Sequence, residues 1–72
     1  MAKKPLSDKV CQRRLTKWIE EHYNEHEQEY LAYYEDEVNE KDYRFIFDNP
    51  ITGEKRINLV IKRNTGEVLK YS

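Results

Sequence analysis

The chain reads as an α+β domain, one N-terminal helix packed on a three- to four-stranded antiparallel β-meander. Two observations predict it. Between Tyr43 and Tyr71, large apolar residues alternate with polar or smaller ones in three segments, the period-two signature of strands with one buried face. Before that, Cys11, Leu15, Trp18, Ile19 and His22 recur at spacings of three and four, the mark of an amphipathic helix. A small meander with one apolar face is not stable alone in water, so the helix is expected to cover it.

Taken in order, residues 1–6 are expected to form a flexible basic lead-in, and residues 7–72 a single domain. Ser7 is a fitting N-cap, and Asp8 in the first turn suits the positive end of the helix dipole. Lys17 is placed to pair with Glu21 one turn on, and Asn24, which tolerates a left-handed conformation, is expected to end the helix. Residues 25–42 admit two readings. As a helix they continue the stripe through Tyr30, Tyr33 and Tyr34; as a strand, Tyr30, Ala32 and Tyr34 alternate with Leu31 and Tyr33. A continuous helix from Asp8 to Glu37 would run about 45 Å and overshoot the sheet, so a strand over about 29–38 is preferred.

Tyr43, Phe45 and Phe47 share one face of the next strand and Ile57, Leu59 and Ile61 that of its partner, with Leu69 and Tyr71 continuing the face on the last. The turns Asn49–Gly53 and Arg63–Gly66 hold the glycine and asparagine that tight connections need. Both run into Thr-Gly-Glu, which reflects shared hairpin chemistry rather than a repeat architecture.

Seventy-two residues allow one domain, near the lower limit for folding without staples. Six Tyr, two Phe and one Trp, with Ile, Leu and Val, suffice for one small core. A lone cysteine, Cys11, forms no internal disulfide, which favours a reducing compartment. With no long apolar run and no signal-type block after Lys4, the protein is expected to be cytoplasmic, with no membrane partner. The net charge of -1 conceals strong segregation. Residues 1–19 hold six basic side chains against Asp8; residues 20–42 hold ten acidic ones against Lys41; residues 43–72 hold six basic against three acidic. The simplest expectation is that the acidic middle neutralises its basic neighbours on folding; the alternative is a two-signed surface that meets a charged partner.

The closing run Leu59-Val-Ile-Lys-Arg-Asn-Thr-Gly-Glu-Val-Leu69, preceded by a helix and about three strands, resembles the PepSY domain over residues 43–71. The resemblance implies a small α+β module that binds or restrains peptidases, usually outside the cytoplasm, whereas Cys11 points to a reducing one.

Catalytic chemistry has no motif here, and neither enzyme activity nor a cofactor is expected. His22 and His26 stand four apart, as two metal ligands on a helix would, but Asn24 intervenes, no third ligand is fixed, and no metal is expected. Cys11 lies on the apolar stripe without a partner base and reads as a buried, inert thiol. The acidic residues Glu25, Glu27, Glu29, Glu35, Asp36, Glu37 and Glu40 suit a phosphate-mimicking inhibitor of a basic partner, as in some small phage proteins, or simply a solubilising segment.

Two surfaces remain. On the sheet face away from the helix, Ile46, Val60 and Val68 are expected to project beside Arg44, Asn58 and Lys62, inviting a protein partner or a second copy of the chain, though single Val and Ile residues are ordinary on strands. On the other side, Lys3, Lys4, Lys9, Arg13, Arg14 and Lys17 form a basic arm and helix face able to touch nucleic-acid phosphates, or merely a solvated face. The first reading, a non-enzymatic binding or regulatory module and possible homodimer, is preferred to a nucleic-acid accessory protein.

Overall fold

In the computed structural model, residues 4–71 are described. The order of elements is α1 (Asp8–His22), α2 (Glu25–Tyr30), β1 (Ala32–Tyr33), β2 (Glu37–Val38), β3 (Asp42–Asn49), β4 (Glu54–Lys62) and β5 (Val68–Tyr71). The strands form one antiparallel sheet in the order β1-β3-β4-β5, with β2 also on β3 along the edge that β1 uses. The architecture is the α+β one that the sequence predicts.

The main helix begins as expected: the Ser7 hydroxyl accepts a bond from the Val10 amide, and Asp8 lies in the first turn. Cys11, Leu15 and Ile19 are buried against Tyr43, Phe45 and Phe47 of β3 and Ile57, Leu59 and Ile61 of β4. This is the two-layer core that alternation on one side and three-four spacing on the other demand. His22, placed on the stripe by spacing, is exposed instead: its ring stacks on Trp18 at 3.8 Å, and Nδ1 donates to the Trp18 carbonyl at 2.8 Å.

Three expectations for residues 6–38 differ. Leu6, expected to be loose, packs against the core; its amide donates to the Arg63 carbonyl, and its own carbonyl accepts from the Arg63 guanidinium, both at 3.0 Å. Asn24 is not a left-handed C-cap. Its φ is -75°, and it caps the N-terminus of α2, accepting from the Glu27 amide while Glu27 Oε1 accepts from the Asn24 amide. This reciprocal box satisfies two helix-end donors, so residues 25–30 are helical rather than the start of a strand. The strand preferred over 29–38 survives only as β1 and β2, two residues each, separated by Tyr34, Glu35 and Asp36.

β3 and β4 carry the longest pairing, from Asp42 opposite Lys62 to Phe47 opposite Ile57. Beyond Phe47 the register shifts, and Asn49 pairs with Glu54, so Lys55 and Arg56 together face Asp48. In this bulge Arg56 has a φ of +52°, a left-handed conformation that costs a non-glycine residue about 1–2 kcal/mol. Asp48 supports it: its Oδ1 accepts from the Arg56 amide at 2.9 Å. Two residues beyond Phe47 on the unbulged strand, Asn49 keeps to the core face and is fully buried. Its Nδ2 donates to Glu27 Oε2 at 3.2 Å and its Oδ1 accepts from the Ile51 amide at 3.1 Å, tying α2 to the β3–β4 turn.

The last strand reverses the expected faces. Val68 lies opposite Ile61 and Leu69 opposite Val60, and residues directly opposite in a ladder share a face. Val68 therefore packs on the helix-side core, while Leu69 and Tyr71 stand on the other face. The hairpin between Lys62 and Glu67 sets this parity. Gly66, at φ +75°, makes the turn, and its amide donates to the Lys62 carbonyl at 2.7 Å.

Candidate interaction surfaces

Among the described residues no helix packs on the second face of the sheet. Across it run Tyr34 from the β1–β2 edge, Arg44 and Ile46 on β3, Asn58, Val60 and Lys62 on β4, and Leu69 and Tyr71 on β5. Of the residues that the sequence assigns to a sheet-face partner site, Arg44, Ile46, Asn58, Val60 and Lys62 are gathered there; Val68 is not. Nor are Ile46 and Val60 open to solvent, with exposures of 8% and 4%. Val60 sits between Arg44 and Leu69 on the flanking strands, and Ile46 opposite Asn58 and beside Tyr34. Such long neighbours shield a Val or Ile from water without a covering layer. What the face offers a partner is Tyr71 and Tyr34, at 54% and 42% exposure, the half-buried Leu69, and the guanidinium groups of Arg44 and Arg56.

The Tyr34 corner is built by three residues. Its hydroxyl donates to Asp48 Oδ2 at 2.7 Å, and the Arg56 guanidinium lies 5.1 Å from its ring centroid. The bond to Asp48 raises the Tyr34 phenol, and the Arg56 amide, with the Tyr34 hydroxyl, holds the Asp48 carboxyl below its usual value. The signs follow from linkage. A depressed carboxyl contributes stability above about pH 3.8 that is lost as pH falls through its folded value, and a raised phenol contributes stability below about pH 10 that is lost as pH rises through its folded value. Asp48→Asn is therefore expected to flatten the acid limb of a plot of urea midpoint against pH, narrowing its gap from the wild type as pH drops below about 4. Parallel acid limbs in the two proteins would contradict this role for Asp48.

Charge on the face is balanced: Arg44, Arg56 and Lys62 against Glu37, Asp42 and Asp48. Glu37 pairs with Arg44 at 3.5 Å. The helix side is different. Lys9, Arg13, Thr16, Lys17 and Glu20 line one shallow groove with Gln12; Arg13, Arg14, Lys17 and Trp18 continue into a second beside Gly66 and Val68. A third holds Lys4, Leu6, Arg14 and Arg63 against the Asn64–Gly66 turn. The structure thus brings together Lys4, Lys9, Arg13, Arg14 and Lys17; Lys3 lies outside the described residues.

Neutralisation by the acidic middle is confined to the sheet face, where Glu37 pairs with Arg44 and Asp42 lies opposite Lys62. Among the described residues the ion pairs are Glu37–Arg44, Asp8–Arg63 and Glu54–Lys70, so of the ten acidic residues in 20–42 only Glu37 takes part. Lys17 makes no such pair with Glu21. The phosphate-mimic row is also broken up. Glu27 is committed to the α2 cap and Asn49, Asp36 accepts from the Tyr43 hydroxyl at 2.6 Å, and Glu37 holds Arg44.

Cys11 is fully buried, and burial pushes its thiol up, away from the reactive thiolate. His22 and His26 are on different helices, the latter stacked edgewise on Tyr30. Among the described residues no three His, Cys, Asp or Glu side chains converge to hold a metal ion, and no helix is long and apolar enough to cross a membrane.

Sequence reasoning missed Tyr34, Arg56, Leu69 and Tyr71 as members of the open face. Arg56 had no signal, since arginine is no common left-handed residue; the Asn24-Glu-His-Glu27 box was legible and explains why Tyr34 is at the edge. No protein-family model, no curated protein and no solved structure matches the chain.

Proposed function

We propose that the chain is a non-enzymatic, cytoplasmic binding module that acts through protein contacts on its uncovered sheet face, and that a second copy of the chain is one partner. The observation that carries this reading is the composition of that face: two exposed tyrosines, two arginines and the half-buried Leu69, with no helix above them among the described residues. Tyrosine and arginine are the residues that concentrate binding energy at protein interfaces, through large rigid contact area and multiple donors. Equal numbers of acidic and basic groups let two such faces meet without net repulsion, and a two-fold axis makes the same patch serve both copies. The PepSY-like closing hairpin fits a module that restrains another protein, and the lone buried thiol suits a reducing compartment.

Sedimentation equilibrium tests the self-association. The wild type is expected to pass from monomer to dimer with rising concentration, and Leu69→Lys with Tyr71→Glu to stay monomeric while keeping its circular dichroism. A wild type that remains monomeric up to about 1 mM, weaker than about -4 kcal/mol of association, would remove the homodimer.

A further inference from the structure

We propose that the exposed side of α1 is a second working surface, which lies along the sugar–phosphate backbone of duplex DNA without reading sequence. This goes beyond the sheet-face reading and does not depend on it. Three observations lead here. First, folding leaves the helix cations uncompensated. Asp8, the lone acidic residue before Glu20, is taken by Arg63 at 2.7 Å, and Lys4, Lys9, Arg13, Arg14 and Lys17 enter no ion pair among the described residues.

Second, these five line contiguous grooves. Arg13 and Lys17 are shared by the first two, and Arg14 and Gly66 link the second to the third. Lys9, Arg13 and Lys17 follow one another at four-residue steps, about 6 Å apart along the axis, so their ammonium and guanidinium groups form a row. Glu20 and Glu21 end the row at its C-terminal side.

Third, the chemistry of the ridge selects among polyanions. The groove through Lys9, Gln12, Arg13, Thr16, Lys17 and Glu20 has no apolar residue, so the row of cations itself offers no apolar centre of the kind a protein interface uses; Trp18 and Val68 line the second groove and Leu6 the third. Single-stranded nucleic acid is held by stacking on aromatic rings, and the one ring lining these grooves, the half-buried Trp18, has a face covered by His22, with planes 10° apart. Gln12 gives one of its amide hydrogens to the Tyr43 hydroxyl at 2.7 Å, so the neutral hydrogen-bonding side chains of the ridge are Thr16 and a partly committed Gln12, few groups with which to read the 2′-hydroxyls that mark RNA. A row of flexible cations without base-reading or stacking groups is matched by duplex DNA, whose affinity comes from released counterions.

The test is fluorescence anisotropy of the full chain with a labelled random-sequence DNA duplex of ~20 base pairs, between about 50 and 200 mM salt. Five phosphate contacts give a slope of log K against log salt of about -4.5, or about 500-fold weaker binding across that range. Replacing Lys9, Arg13 and Lys17 together by alanine, a better helix former at exposed sites, is expected to bring the slope to about -2 with the circular dichroism unchanged. Tyr71→Ala, on the opposite side of the sheet, is expected to leave DNA binding as it is, so this surface and the self-association stand or fall separately. No binding at the lowest salt, a slope unchanged in the triple variant, an equal loss in Tyr71→Ala, tighter binding of duplex RNA, or equal competition by polyglutamate would each overturn the proposal.

Discussion

Phe47→Ala is expected to leave the chain largely unfolded at 25 °C. Phe47 is fully buried and lies where all layers meet: its ring is edge-on to Tyr23 of the helix end at 5.9 Å and tilted against Tyr33 of β1 at 5.6 Å, with Ile57 beside it on β4. Truncating such a residue removes its transfer free energy and leaves a cavity that β3, held by strands on both edges, cannot collapse around. The cost is about 3–5 kcal/mol. A domain of this size, with a lone cysteine and so no internal disulfide, has only about 3–5 kcal/mol to lose. The check is thermal and urea unfolding followed by circular dichroism and Trp18 fluorescence. A cooperative transition within a few degrees of the wild type would show that the core is not centred on this ring.

Asn49→Leu has the next largest expected effect, although the substitution keeps the branched shape of the side chain and adds apolar character. The asparagine is the fully buried polar side chain that joins Glu27 to the Ile51 amide. With leucine in its place the Ile51 N–H and a Glu27 carboxylate oxygen lose their partner, and each such loss costs about 1–3 kcal/mol. We expect destabilisation of about 2–4 kcal/mol together with faster amide exchange in Glu25–Tyr30, because Glu27 is also half of the α2 capping box. Exchange that stays as slow in α2 as in the wild type would mean that the helix is held by its cap alone.

These two residues also mark where the sequence was readable. Phe47 sits in a run of alternating apolar residues whose period has no helical counterpart, so β3, β4 and the core face of α1 follow directly from pattern. Asn49, two residues beyond Phe47, is on the core face by the same alternation, but a polar residue beside Pro50 reads as turn; the bulge at Arg56, a change of register by one residue, is announced by no pattern of apolar positions. The open face was legible for the same reason as the core: five of its residues alternate with the buried set on β3 and β4. Val68 was misplaced because it and Leu69 are both apolar, so alternation in a four-residue strand does not say which points inward; the hairpin geometry decides. Residues 25–38 were ambiguous because glutamate and tyrosine serve helix and edge strand alike, and one capping box settled the matter locally.

The clamp between Leu6 and Arg63, 57 positions apart, has a temporal consequence. A ribosome delivers the helix long before its anchor: 41 positions separate His22 from Arg63, roughly 2–8 s of translation. Throughout that interval Leu15, Ile19 and Trp18 lack the sheet that covers them, on a segment too short to hold its own coil, an opening for chaperones that closes once the last hairpin emerges.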